Sequence, residues 1–239
     1  MKIALIGAGA IGGYLKEKTK ADASLELTGI FDIDEARRTV NSIEELLATN
    51  PDLVVEAAGF EAVRDYAEKI LKQTNLLMMS ATALAYEETR NKMDETCKKN
   101  GTRYLIPSGA IIGIDGIKAA KEQIESALLV TRKNPKGFGR EDKEETVLFD
   151  GSAREACKKF PRNVNVSATL SLNGIGFDKT RVKILSDPKT IVNNHTITVG
   201  GAFGKFTIKV ENSPSKNPKT SALAGMSAFT MIKEIQSFK

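Results

Sequence analysis

A short apolar strand that runs straight into a glycine-rich turn restricts the fold more than any other feature of the sequence. Ile3-Ala4-Leu5-Ile6 leads into Gly7-Ala8-Gly9-Ala10-Ile11-Gly12, a G-x-G-x-x-G, and Ile11, Tyr14 and Leu15 then recur at helical spacing. Each glycine has its own task. Gly7 makes the tight turn, Gly9 leaves room for a pyrophosphate against the backbone, and Gly12 lets the helix approach the strand closely. Unpaired amides at the helix start, with the helix dipole behind them, favour phosphate. A second strand, Leu25–Phe31, ends in Asp32, twenty residues beyond Gly12. A carboxylate there accepts hydrogen bonds from an adenosine ribose. Strand, loop, helix, strand and acid in that order specify a dinucleotide site rather than a glycine-rich turn with a chance acid.

The alternation continues through the first hundred residues. A helix is expected at Ser42–Ala48, with Ser42 as N-cap and Glu45 completing a capping box. Asp52–Glu56 reads as a strand, Glu61–Lys72 as a helix and Leu76–Met79 as a strand. A further helix ends at Gly101, and Arg103–Ile106 is the fifth strand. Such a pattern predicts a parallel sheet with right-handed crossovers and helices on both faces, a Rossmann domain.

The texture changes after Pro107. Ser108–Gly116 is rich in small residues and reads as a domain junction. Longer, more β-branched strands follow at Ala127–Thr131, Thr146–Phe149, Arg181–Leu185, Thr196–Val199 and Lys205–Val210, with helices only near Ser152–Phe160 and Val166–Leu172. Many strands with few crossovers predict a second α/β domain whose mixed or antiparallel sheet is covered by helices on one face. The free face suits a dimer interface or a substrate site. Asn217 and Pro218 read as the N-cap and first residue of a last, strongly apolar helix. If that helix returns to the first domain, residues 1–107 and 217–239 form the dinucleotide-binding domain and 108–216 the other.

Composition narrows the classes. With 41% hydrophobic and 27% charged residues the chain is an ordinary globular protein. No apolar run approaches the ~20 residues that span a bilayer, and residues 1–12 read as a strand rather than a signal peptide. Two cysteines make no disulfide framework, which points to a reducing cytoplasm. The net charge of +5 is spread among acids instead of gathered in one stripe, so no nucleic-acid partner is expected.

Few residues are equipped for proton chemistry. His195 is the only histidine, and strand alternation puts Asn193, His195 and Ile197 on one face. Spacing alone favours a satisfied core histidine, although the neighbouring asparagines ask for a polar site. As the lone imidazole, it is the expected source of any activity pKa between about 6 and 8 that comes from an unperturbed side chain. Cys97 and Cys157 fall among apolar residues at helical spacing and read as core, not nucleophiles. One histidine and two distant cysteines offer no metal-ligand cluster. Lys219, Thr220 and Ser221 at the start of the last helix would receive a carboxylate, or simply cap that helix. Asn163 and Asn165 either meet a ligand or cap the helix they precede.

Four segments taken in order, behind the dinucleotide fingerprint, resemble the L-aspartate dehydrogenase family. They are Ser108-Gly109-Ala110-Ile111, Lys159-Phe160-Pro161-Arg162-Asn163-Val164-Asn165-Val166, Asn194-His195 and Asn217-Pro218-Lys219-Thr220-Ser221. The resemblance covers essentially the whole chain. It implies a Rossmann domain, a second domain that forms a homodimer, and oxidation of L-aspartate by NAD or NADP. The product would be iminoaspartate, which hydrolyses to oxaloacetate and ammonia or feeds quinolinate and NAD synthesis. It places the active-site histidine at His195 and cofactor contacts at Ala10, Ile11, Asp32, Ser80, Ala81, Ala110 and Asn165. Ile111-Ile112-Gly113 departs from the isoleucine and paired glycines more usual there. Two other classes share the fold: a reductase or dehydrogenase of another small amino or imino acid, and a non-catalytic NAD-responsive regulator. The dihydrodipicolinate reductase pattern wants adjacent histidines, and the regulator wants a DNA-reading or partner module; neither feature is in the sequence.

Overall fold

Unbroken apolar runs in the first half of the chain become strands buried on both sides. In the computed structural model, which describes residues 1–213 and 221–237, β1 (Lys2–Ile6), β2 (Glu26–Phe31), β3 (Leu53–Glu56), β4 (Asn75–Met78) and β5 (Tyr104–Leu105) form a parallel sheet. Their order is β2-β1-β3-β4-β5. The crossovers are α1 (Ala10–Ala21), α2 (Ile43–Ala48), α3 (Phe60–Leu71) and α4 (Glu87–Asn100), which Gly101 ends in the left-handed region at φ 68°. Ile3, Leu5, Val55 and Leu77 pack on one face with Leu15 of α1. The alternate set, Ala4, Ile6, Val54, Leu76 and Met78, is buried as completely. Parallel strands covered by crossover helices need this two-sided apolarity. At the start of α2, Ser42 Oγ accepts from the Glu45 amide. The capping box stays half-made, because the Glu45 carboxylate reaches one residue further back, to the Asn41 amide.

The second sheet is built differently. It follows α5 (Ile114–Ala120) and contains β6 (Ile124–Lys133), β7 (Thr146–Ser152), β8 (Thr180–Ser186), β9 (Asn193–Gly201) and β10 (Gly204–Asn212), in the order β10-β9-β6-β8-β7. Only β6 and β8 run parallel, so the sheet is mixed. The crossover between them carries α6 (Ala153–Lys159) and α7 (Asn165–Asn173). Ser152 and Glu155 close a complete capping box on α6. Ala127, Leu129, Val182, Ile197 and Val199 are buried on one face, while Leu128 and Val147 are exposed. Cys157 lies in the covered core, where burial pushes its thiol up to about 11.

α8 (Ala222–Ser237) begins at Ala222. Asn217 and Pro218, expected to open it, lie outside the described residues. The chain divides into two compact units, Met1–Pro107 with Ala224–Lys239, and Ser108–Leu223. Ala228 and Ile232 of α8 join the core formed by Ile3, Leu5 and Leu15. A Cβ on Gly225 would stand only 2.9 Å from Tyr14 Cδ1, so a glycine suits this close approach. Lys233 Nζ donates to Asp22 Oδ2 at 2.7 Å and Gln236 Nε2 to the Ser24 carbonyl at 2.9 Å, tying the end of α8 to the end of α1.

Candidate active site

The first sheet reverses its strand order at β1, with β2 on one side and β3 on the other. Loops leaving the carboxyl ends of β1 and β3 therefore diverge and open a crevice. Gly7 turns out of β1 at φ 87°, and a Cβ there would sit 2.7 Å from the Ala58 backbone. A Cβ on Gly12 would run into the Gly7 carbonyl oxygen, whereas one on Gly9 would meet no atom within 4 Å. Two glycines are thus required by the protein's own packing, and the space beside the third is open. No side chain caps α1, and its first turn has no acid. The amides of Ala10, Ile11 and Gly12 are left for an anion, as a helix start leaves them. Asp32 lies at the end of β2, with Oδ2 accepting from the Ala8 amide at 2.6 Å and Oδ1 from the Asp34 amide at 2.8 Å. Each oxygen keeps a second lone pair for a ribose hydroxyl. These residues fit a dinucleotide: open space at Gly9, uncapped amides, and an acid anchored to the loop itself.

Glu56 organises the other side of that crevice, and the sequence reading missed it. Its buried carboxylate ends β3 and accepts from the amides of Ala58 and Gly59, each at 2.8 Å. It also takes the Ser80 amide at 3.1 Å and the Ser80 hydroxyl at 2.8 Å. Burial pushes its pKa up, while the four donors favour the ionised form. Ser80, expected with Ala81 near a cofactor, is therefore fixed by Glu56 just before the 3₁₀ turn Ala81–Ala85. The signal was a carboxylate closing an otherwise apolar strand.

In the second unit, register explains the site. On the covered face of the sheet, Val199, Ala127 and Thr180 stand side by side, and then Ile197, Leu129 and Val182. The next row is His195, Thr131 and Ile184, and beyond it Asn193 pairs with Asn212 and Lys133 with Ser186. The face turns from apolar to polar at the carboxyl end of the parallel pair β6 and β8. His195 is buried, 2% exposed, and its Nδ1 lies 3.0 Å from Thr131 Oγ1. Burial, followed by the nearby charge of Lys133, brings its pKa down to about 3. The condition of an unperturbed ring is therefore not met: burial keeps the imidazole neutral between pH 6 and 8. Asn193 is also buried, and its Nδ2 has no hydrogen-bond partner. Lys133, another residue missed in the sequence, is 5% exposed.

The remaining expected residues are placed as follows. Asn165 is the first residue of α7, which no side chain caps; the buried Asn163 Oδ1 just before it has no partner. The Asn163 Oδ1 therefore caps no amide of α7. Ala110 lies under Asn212, whose Nδ2 donates to its carbonyl at 2.8 Å. Nearby Gly113, at φ 73°, leaves no room for a Cβ against Ile208. Ser221 is buried, and Lys219 and Thr220 lie outside the described residues. Arg37 and Arg38, candidates for a phosphate on the ribose, pair with Asp34 at 3.0 Å and Glu35 at 2.6 Å. Among the described residues no group of three or more His, Cys, Asp or Glu side chains could hold a metal ion, and no helix is long and apolar enough to cross a membrane.

Known proteins resemble the chain along its length. A family profile described as "Aspartate dehydrogenase, C-terminal" matches residues 115–235. Another, "Homoserine dehydrogenase, NAD binding domain", matches residues 7–107. The L-aspartate dehydrogenase of Archaeoglobus fulgidus is 43% identical, covering 99% of this chain and 98% of its own. That of Methanosarcina mazei is 41% identical over 98% and 97%. The crystal structure of aspartate dehydrogenase from Thermotoga maritima superposes with a TM-score of 0.78 at 29% identity, covering 100% of this chain and 97% of that one. A dihydrodipicolinate reductase from Paenisporosarcina sp. TG-14 shares the fold, with a TM-score of 0.57 at 12% identity over 96% and 92% of the two chains.

Proposed function

The chain belongs to the L-aspartate dehydrogenase family and is a pyridine-nucleotide-dependent amino-acid dehydrogenase acting on L-aspartate, and on that premise we propose how its residues divide the reaction. Gly7, Gly9, Ala10, Ile11 and Gly12 cradle the pyrophosphate and Asp32 takes the adenosine ribose. Ser80, Ala81, Ala110 and Asn165 complete the cofactor's contacts. When bound, the nicotinamide supplies the hydride acceptor. Both NAD and NADP bind, with Asp32 favouring NAD because its charge repels a 2′-phosphate.

His195 is the proton acceptor. Hydride loss from Cα needs a neutral amine, and the imine that results needs an activated water. A neutral imidazole can take a proton in either step. Thr131 occupies Nδ1, so Nε2 faces the chemistry. The observation that carries this reading is the polar end of an otherwise apolar covered face, with His195 in its middle. Asn193, Lys219, Thr220 and Ser221 hold the substrate, and the product is iminoaspartate, hydrolysing to oxaloacetate and ammonia or entering NAD biosynthesis. Incubation with NAD and a panel of amino acids should give NADH with L-aspartate; NADH from another amino or imino acid alone would favour the other enzyme class, and none at all the regulator.

The second unit's free sheet face, with Leu128 and Val147 exposed, is the dimer contact in this reading. Sedimentation should show a homodimer, and a monomer at working concentration overturns it. The two free thiols suit a reducing cytoplasm.

A further inference from the structure

We propose that Lys133 is the cationic anchor for a carboxylate of the bound dicarboxylic amino acid, with the Asn193 amide as its second donor. The inference rests on the polar cluster around His195 being the active site. Lys133 ends β6 with its side chain on the covered face, one row beyond Thr131 and His195. The turn Pro135–Phe138 closes over its stem: Gly137 lies against it, and Nζ stands 5.8 Å from the centre of the Phe138 ring. Its one hydrogen bond among the described residues is a long one, 3.5 Å to the Asn163 carbonyl.

The charges on the surrounding elements are engaged elsewhere. Asp187, after β8, pairs with Arg132 at 2.9 Å, and Asp142 pairs with Arg140 at 2.7 Å. His195 on β9 is neutral and Arg162 beside Asn163 is a cation, so neither supplies a negative charge. A buried ammonium without a carboxylate is costly unless a ligand brings one. Its pKa is accordingly brought down to about 8 by burial.

Asn193 adds an unpartnered buried donor at the neighbouring position. A cleft of about 340 Å³, lined by Asn134, Lys136 (a second cation), Gly137 and residues 190–193, opens against both Asn193 and Gly137. Two donors and no acid make a carboxylate receptor. A substrate anion would supply the missing countercharge, would hold Lys133 protonated and would offset the positive charge that lowers the His195 pKa, making the ring a better proton acceptor.

The test uses Lys133→Met, close in shape to the native side chain, with His195→Ala prepared alongside. With saturating NAD, Lys133→Met should raise KM for L-aspartate by about 10²-fold or more, as expected when one partner of a buried charge pair is removed. KM for NAD and the melting temperature should change little. L-Asparagine separates the two carboxylates: a loss confined to aspartate assigns Lys133 to the side-chain carboxylate, and equal loss on both assigns it to the α-carboxylate. Succinate binding to the NAD-loaded wild-type enzyme gives a measure that needs no variant. Its affinity should fall above about pH 8, by up to about tenfold per pH unit, as Lys133 loses its proton. A pH-independent succinate affinity, or an aspartate KM in Lys133→Met within about twofold of wild type, overturns the proposal. If His195→Ala loses turnover while Lys133→Met keeps its KM, only the Lys133 assignment fails; if His195→Ala retains turnover, the site itself is misassigned.

Discussion

Both sheets have five strands, yet one is apolar to its ends and the other carries a polar row on its covered face. In the first unit, β1 and β3 bury nearly every side chain, and the crevice is made by backbone: the glycine loop, the amides of α1 and the loops gathered by Glu56. In the second, the loops count for less, and strand side chains at Thr131, Lys133, Asn193 and His195 make the candidate site. A long, anionic cofactor is met by amides and a dipole, which need only space and orientation. A small substrate that exchanges protons needs titratable side chains on rigid elements. Substitutions should therefore act differently in the two units: through added bulk in the first and through lost functional groups in the second.

The largest effect should come from added bulk. Gly12→Val drives a side chain into the Gly7 carbonyl and should cost ~1–3 kcal/mol in stability together with cofactor binding. Gly9→Ala is the informative contrast: nothing lies within 4 Å of its Cβ, so the fold should keep its melting temperature while NAD affinity falls. Calorimetric NAD titration of both, with melting curves, checks this. Gly9→Ala binding NAD as tightly as wild type would mean that the open space is not the pyrophosphate's.

A comparable effect on stability is expected from pH, and it belongs to the second unit. His195 has its pKa lowered to about 3 from an ordinary 6.5. Between those values the unfolded chain binds a proton that the folded chain refuses. Stability from this group is thus fully present above about pH 6.5 and is lost as pH falls toward 3, by an amount on the order of a few kcal/mol. Urea midpoints of wild type and His195→Gln from pH 7 to 4 should converge as acid removes the difference in this term. Parallel curves would show that the ring is not buried neutral.

The smallest effect concerns Asp32. Asp32→Ala should change the NAD-to-NADP affinity ratio by about tenfold, and an unchanged ratio would remove Asp32 from the ribose. Arg37 and Arg38 belong to exposed pairs three residues apart, worth ~0–1 kcal/mol each, so either is free to turn toward a 2′-phosphate at little cost.

Legibility in the sequence followed the same division. The first sheet and its glycine loop could be read because local periodicity and three glycines suffice to specify them. The half-made capping box shows the limit: Glu45 was placed correctly on α2, but which amide its carboxylate reaches is a matter of side-chain rotamer. Lys133 stayed hidden because Arg132-Lys133-Asn134 reads as the charged end of a strand. Only the extension of β6 to Lys133 and its pairing with Ser186 turn that amine inward. Glu56 was hidden because its donors come from two loops that no linear pattern joins. His195 was found by its uniqueness, yet its neutrality depends on burial and on Lys133, neither of which spacing reveals.

The claim that the first unit holds the cofactor and the second does the chemistry is tested most directly by His195→Ala. Turnover, NAD affinity and melting temperature should be measured on one preparation. Turnover with L-aspartate should fall by about 10²–10⁴-fold, the usual weight of a general acid–base, while NAD affinity and melting temperature stay close to wild type. A lowered melting temperature with turnover per folded molecule unchanged would make His195 a packing residue and contradict the division of labour.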